Sequence, residues 1–401
     1  MPTLAARLTT GAAIALSAGS LFAQGGGETL DISGSEGTSL AGTVLETFEG
    51  PWAMAFLPDG RALVTEKAGT LWLLDENGTK LGEVAGVPEV EAQGQGGLGD
   101  VIVHPDFVDN GIVYLSYVER DENDDSLSGA AVERATLSLS DGGGELSERE
   151  VIWRQSPKVT GNGHYGHRLA LSPDGFLFIT SGERQKFSPA QNMSANLGKI
   201  VRLNEDGSIP EDNPFNGNGG VADQIWTLGH RNPLGIDFDA DGQLWVHEMG
   251  PKGGDELNRI VRSENYGYPE VSQGTHYSGE PFPSSHQDNL AYENPALSWD
   301  PVISPAGFVI YAGDRFGDWS GNGLIGGLSS QALIRVAFEQ APLDNTGAAA
   351  DDVEQTETVA NEVERYSWDK RIREVAEGAD GSIYVLEDGS GGRLIRLDPA
   401  G

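Results

Sequence analysis

Six short polar clusters in the 401-residue chain combine residue types able to do chemistry. They are Gly94-Gln95-Gly96-Gly97-Leu98, Gly163-His164-Tyr165-Gly166-His167-Arg168-Leu169 and Gly229-His230-Arg231-Asn232-Pro233, then Glu248-Met249-Gly250-Pro251 with Asp255-Glu256, Asn265-Tyr266-Gly267-Tyr268-Pro269, and Arg371-Ile372-Arg373-Glu374-Val375. An imidazole with an unperturbed pKa of about 6.5 can accept a proton at neutral pH, which makes His164 a candidate general base. Guanidinium groups stay charged and grip carboxylates bidentately, so Arg231, Arg371 and Arg373 are candidates to anchor an anionic ligand. Arg371 and Arg373 alternate on a predicted strand, which points both to one face. Arg168 is either a further member of that set or a structural ion-pair partner.

The elements that must position these clusters read as a repeat. Phe56-Leu57-Pro58-Asp59-Gly60 runs into Ala62-Leu63-Val64-Thr65, and Leu171-Ser172-Pro173-Asp174-Gly175 into Phe176-Leu177-Phe178-Ile179-Thr180. Phe238-Asp239-Ala240-Asp241-Gly242 and Glu377-Gly378-Ala379-Asp380-Gly381 lead in the same way into short apolar runs. Asp-Gly between such runs signals a hairpin, with glycine supplying the positive φ of the turn. Weaker copies begin at His104-Pro105-Asp106-Phe107 and Gly321-Asn322-Gly323. Six copies at roughly 50 to 75 residues predict an all-β fold, a six-bladed β-propeller of four-stranded antiparallel blades. No long stretch has helical periodicity. A propeller presents its ligand-binding loops at one mouth of the central channel, where the polar clusters are expected to meet. Two acidic stretches, Glu119 to Asp125 and Asp344 to Glu364, read as surface excursions.

Composition narrows the function further. The 61 carboxylates outnumber the 26 lysines and arginines, for a formal net charge of −35. That surplus repels phosphate backbones and anionic lipid, so neither nucleic-acid binding nor a membrane-surface role is expected. With no cysteine, thiol chemistry and disulfides are excluded. Residues Met1 to Ala23 carry one charge, Arg7, ahead of an apolar run too short to span a bilayer. They read as a secretory signal at 1–23 before a single domain at 24–401, with no membrane insertion and a periplasmic or secreted location.

From about Pro51 to Leu397, the six clusters in this order resemble the soluble aldose sugar dehydrogenases that use pyrroloquinoline quinone (PQQ), the glucose/sorbosone dehydrogenase family. The resemblance implies PQQ and calcium as cofactors. It makes His164 the catalytic base and Glu183 the carboxylate that orients its imidazole; His167 stands where the family often has a small residue. It assigns cofactor contacts to Gln95, Arg231, Asn232, Tyr277, Arg371 and Arg373, and to the segment of Leu328 and Ser329. Calcium would be held by the carbonyls of Gly250 and Pro251 and, at a second site, by Glu256 and the Tyr266 carbonyl. The sequence departs from the family at Ser329, where a lysine usually contacts the quinone; loss of that cation is expected to weaken cofactor binding.

The implied reaction is oxidation of an aldose at C1. His164 takes the hydroxyl proton, hydride passes to the quinone, a lactone forms, and an external acceptor, a cytochrome or a quinone, removes the electrons. Two rival readings are a calcium-dependent lactonase-type propeller hydrolase and a non-catalytic propeller that binds protein or glycan. The arginine set favours the dehydrogenase, because a lactonase would surround its metal with carboxylates.

Overall fold

Every Asp-Gly copy forms the turn its sequence predicts. In the computed structural model, which describes residues 27–342 and 356–400, Gly60, Gly175, Gly242 and Gly381 all have φ between 75° and 89°. Each glycine N–H bonds back to the residue three before it, as Gly60 does to Leu57 and Gly175 to Ser172. The connection is a five-residue loop rather than a bare Asp-Gly pair, since Phe56 pairs with Ala62 across it. The His104 copy substitutes one helical turn, Phe107–Asn110, closed by Gly111 in the left-handed conformation. The signal-like segment 1–23 lies outside the described residues.

These turns join the first and second strands of six antiparallel units, five of four strands and the sixth of five. The first strands are Pro51–Phe56, Leu98–Val103, Gly166–Leu171, Pro233–Phe238, Pro305–Ile310 and Ile372–Glu377. Each of these touches the first strand of the next unit, and the sixth touches the first. Three units form separate sheets, while the first two share an eight-stranded sheet through a short parallel pairing of Val84 with Gly144. The sixth unit takes its two outer strands from the other end of the chain: Ser39–Glu49 runs antiparallel to Ser390–Pro399, with Val44 opposite Ile395, and Thr29–Ser33 pairs along its far side. The second acidic stretch is only partly a surface excursion. Residues 343–355 lie outside the described residues, but Thr356–Ser367 is a strand paired along Ala332–Pro342, and Glu364 is buried within it.

Face-to-face stacking of the units explains the strand composition. Ala62–Glu66, Leu244–Glu248, Gly323–Gly327 and Ile383–Glu387 are buried at every position, because both sheet faces are covered by neighbouring units. The core therefore lies between units. Leu63, Leu71 and Val84 of the first pack against Val113, Leu115 and Leu137 of the second. Ile32 and Leu40, from the start of the chain, pack with Leu397 and Tyr366. The N-terminal strand is thus part of the core, and Leu40→Ala is expected to cost about 2–5 kcal/mol in a urea titration. A loss below about 1 kcal/mol would mean that this strand is dispensable to the fold.

Candidate active site

The first strands converge on a layered floor. Trp52, from the first unit, stacks on His167 with ring centroids 5.0 Å apart and planes 13° from parallel. His167 is buried, its Nδ1 lies 2.8 Å from the Ser116 hydroxyl, and burial pushes its pKa down to about 3. Gly99 makes room for it, since a Cβ there would sit 2.0 Å from the imidazole. Beneath this layer the Arg168 guanidinium stacks 4.0 Å from the Trp52 ring and pairs with Asp100 and Glu374. Of the two roles open to Arg168, the structure gives it the ion pair. His167 is a neutral packing group.

Above the floor opens a cavity of about 470 Å³. Its wall includes Gln95, Asn232, Leu328, Arg371 and Arg373, all anticipated from sequence. Arg371 Nε and Arg373 Nε each donate, at 2.8 Å, to Asp388, one to either carboxylate oxygen. Burial raises the Asp388 pKa, but the charges of Arg373 and Arg371 more than reverse that and hold it below the usual value. Asp388 and Lys67, which also lies on the wall, were missed by the sequence reading. Lys67 follows a strand of the first repeat and Asp388 precedes a turn glycine, so neither stands in a polar cluster. Alternation of Arg371 and Arg373 implied a shared counterion, and that was the one available signal for Asp388.

His164 is buried beside the cavity. Its backbone N–H donates to Gln95 Oε1 at 2.7 Å, and its Nδ1 lies 2.5 Å from Glu183 Oε1. Burial raises the Glu183 pKa, but hydrogen bonding to His164 and backbone N–H donors bring the net shift below the usual value. Glu183 is therefore an ionised acceptor, which requires the proton on Nδ1 and leaves the lone pair on Nε2. Burial lowers the His164 pKa, against an opposing pull from Glu183, so the imidazole is neutral at pH 7. Arg184 fastens the loop around the pair by donating to the Gly163 and Ser128 carbonyls. His164, His167, Arg184, Gln185 and Phe187 all have φ between 51° and 62°. Left-handed backbone costs a non-glycine residue on the order of 1 kcal/mol or more, so the surrounding packing must hold this loop in shape. Gly182 completes it, because a Cβ there would meet the His164 carbonyl at 2.2 Å.

Next to the cavity, and sharing Met249 with it, a small void is lined by Arg231, Gly250, Pro251, Glu256 and Tyr266. Arg231 Nη1 donates to the Met249 and Gly250 carbonyls at 2.9 and 2.6 Å. Glu256 is buried near Glu248, with Asn258 Nδ2 donating to both carboxylates. Burial and then repulsion from Glu248 push the Glu256 pKa well above its ordinary value. The Tyr266 carbonyl lies 3.0 Å from His286 Nε2. Among the described residues no three His, Asp or Glu side chains converge as metal ligands, so a cation here would depend on backbone carbonyls. Three predicted cofactor contacts lie off the cavity wall: Arg231, which lines the void, Tyr277 and Ser329. Tyr277 is exposed, with its ring 5.9 Å from the Arg231 guanidinium. Ser329 is also exposed, and its hydroxyl donates to the Val302 carbonyl at 3.2 Å.

The tautomer assignment is testable without any substrate. Nitrogen NMR of labelled protein is expected to find His164 protonated on Nδ1 at pH 7. Glu183→Gln, which can donate as well as accept, is expected to release that preference while the fold persists. An Nε2-protonated His164 in the wild type would sink the assignment.

The geometry agrees with what the chain is similar to. A family model described as Glucose / Sorbosone dehydrogenase matches residues 48–396. The aldose sugar dehydrogenase YliI of Escherichia coli (strain K12) is 36% identical over 352 residues, 87% of this chain and 90% of that protein. The crystal structure of the soluble aldose sugar dehydrogenase from Escherichia coli in the apo-form aligns with a TM-score of 0.81 at 34% identity, over 90% of this chain and 100% of that one. The PQQ-bound form of the aldose sugar dehydrogenase from Streptomyces coelicolor aligns with a TM-score of 0.65 at 26% identity, over 90% and 98% of the two chains. With the repeat and the polar clusters all inside the matched span, the chain belongs to the glucose/sorbosone dehydrogenase family.

Proposed function

We propose that the protein is an exported, PQQ- and calcium-dependent aldose dehydrogenase, with its six units arranged as the blades of a closed propeller. The closed fold is supported by the contacts between successive first strands and by the strand that the N-terminal segment lends to the sixth unit. Export is supported by the composition of residues 1–23, and no described helix is long and apolar enough to cross a membrane.

The cavity carries the reading. Its charged wall residues are Lys67, Arg371, Arg373 and Asp388, a local excess of cations in a chain of net charge −35. Asn232 Oδ1 and Arg231 Nε are buried without a hydrogen-bond partner, and such atoms cost about 1–3 kcal/mol each unless a ligand satisfies them. Arg371 and Arg373 fit the carboxylates of a flat tricarboxylate, Arg231 Nε offers a further donor, and Asn232 Oδ1, an acceptor, fits an N–H of the ligand. When bound, PQQ supplies the two-electron acceptor for the hydride leaving the sugar. The chain's own contribution is positional and protonic. His164 Nε2 takes the proton of the C1 hydroxyl, and Glu183 stabilises the imidazolium that forms. The buried pair Glu248 and Glu256, with the carbonyls of Gly250, Pro251 and Tyr266, supplies the hard oxygens calcium prefers. Such an ion acts as a Lewis acid beside a carbonyl.

Apo-protein reconstituted with PQQ and calcium is expected to reduce a dye when given aldoses. His164→Ala is expected to keep cofactor binding and lose roughly 10²- to 10⁴-fold in rate. Because the folded His164 pKa lies below 6.5, its proton-accepting form survives to lower pH, and the acid limb of kcat/KM is expected below pH 6.5. Calcium-dependent lactone hydrolysis without PQQ would establish the hydrolase instead, and absence of both activities would leave a binding module.

Calcium has its own test. The folded pKa of Glu256 is raised, so its effect on stability is favourable below the unfolded value and is lost as pH rises through the folded one. At pH 7 without calcium, Glu256→Gln is therefore expected to raise Tm, and the rise in Tm that calcium gives the wild type is expected to vanish in the variant. A variant that calcium stabilises as well as it does the wild type would remove Glu256 from the metal site.

A further inference from the structure

Lys67 lies on the cavity wall with Arg371 and Arg373, and nothing in its sequence neighbourhood announces it. The backbone fixes its position. Its N–H donates to the Gly50 carbonyl at 2.9 Å, and its own carbonyl accepts from Leu98 at 3.1 Å. Gly97 allows this close approach, since a Cβ there would sit 2.2 Å from the Lys67 carbonyl oxygen. The ammonium donates to the carbonyl of Gly94, a neutral group. The one carboxylate on the wall, Asp388, has an arginine on each of its oxygens. Three cations therefore face one carboxylate already bonded to two of them, which leaves the wall net positive and suited to an anionic ligand. Partial burial and then the neighbouring Arg373 charge lower the Lys67 pKa, against an opposing pull from Asp388. Ser329, at the position where relatives are expected to carry lysine, is exposed and turned toward Val302.

The geometry points to Lys67 as the ammonium that binds a carboxylate of the cofactor, supplied from the first unit in place of the cation that Ser329 lacks. The inference rests on the quinone reading above and concerns how this chain holds that cofactor. It also reverses the expectation of weak binding drawn from Ser329 alone, because the number of cofactor-facing cations is restored.

Titration of apo-protein with PQQ at fixed calcium tests it, followed by indole fluorescence, since Trp52 lies on the same wall. Lys67→Met is expected to weaken PQQ binding on the order of tenfold, the loss of one charge-assisted hydrogen bond. Its affinity should also fall less steeply with salt than that of the wild type, because one fewer ion pair is screened. Lys67→Arg should restore both affinity and salt slope, and Lys67→Gln carries the same test if the methionine variant melts early. A methionine variant with wild-type affinity and salt slope would overturn the role of Lys67 while leaving the quinone reading intact. A wild type that binds no PQQ would overturn both.

Discussion

One guanidinium, that of Arg168, connects five of the six first strands. It stacks on Trp52, pairs with Asp100 and Glu374, and donates to the carbonyls of Leu234 and Arg373. A charge so deeply buried is tolerable only when paired and hydrogen-bonded, and every partner here comes from a different unit or from Arg373 and Glu374 of the sixth. The pairing is balanced narrowly. Burial raises Asp100, and it pushes Glu374 to about 7 despite the opposing attraction of Arg168. Removing one member would leave the others unpaired, so the set ties the first strands of five units together. Everything above it, from the Trp52 and His167 layer to the cavity, is registered on that contact.

Rigidity below allows strain above. The loop from Gly163 to His167 and the one from Glu183 to Phe187 hold five non-glycine residues at positive φ. Their cost is met by specific bonds: Arg184 to carbonyls of the first loop and of Ser128, and Gln95 to the His164 backbone. The result is an imidazole whose tautomer is set by Glu183 and whose orientation does not depend on a bound molecule. If His164 accepts the substrate proton as proposed, a group prepared in this way would avoid reorganisation at the moment of reaction.

The sequence was most legible where one residue type serves one local purpose. Asp-Gly turns announced the units because only a left-handed glycine closes such a loop cheaply, and Arg371 and Arg373 announced a shared face by their spacing. Roles set by through-space partners were not legible. Lys67 ends an ordinary strand pattern, and only the fold carries it to arginines about 300 residues away in sequence. Tyr277 and Ser329 show the reverse: both sit in family-like segments, yet both are exposed and off the cavity wall. Short spacing gives a residue's place along the chain, and side-chain direction depends on what packs behind it.

The charge distribution gives the site its selectivity. A chain of net charge −35 repels anions at long range, but at physiological ionic strength that field is screened over about 8 Å. At the cavity wall, Lys67, Arg371 and Arg373 act on a bound anion at contact distance, well inside the screening length. A diffuse polyanion such as nucleic acid therefore meets only the outer repulsion, while a compact anion able to enter meets the inner attraction. The adjoining void has the opposite sign, with Glu248 and Glu256 buried together, and the outer field draws cations toward it. Arg231, on the void's wall, donates to the carbonyls of Gly250 and of Met249, and Met249 lines both compartments. A small cation in one compartment and a compact anion in the other would each neutralise charge that the bare protein keeps buried. Each is therefore expected to favour the binding of the other across the Met249 segment that the two compartments share.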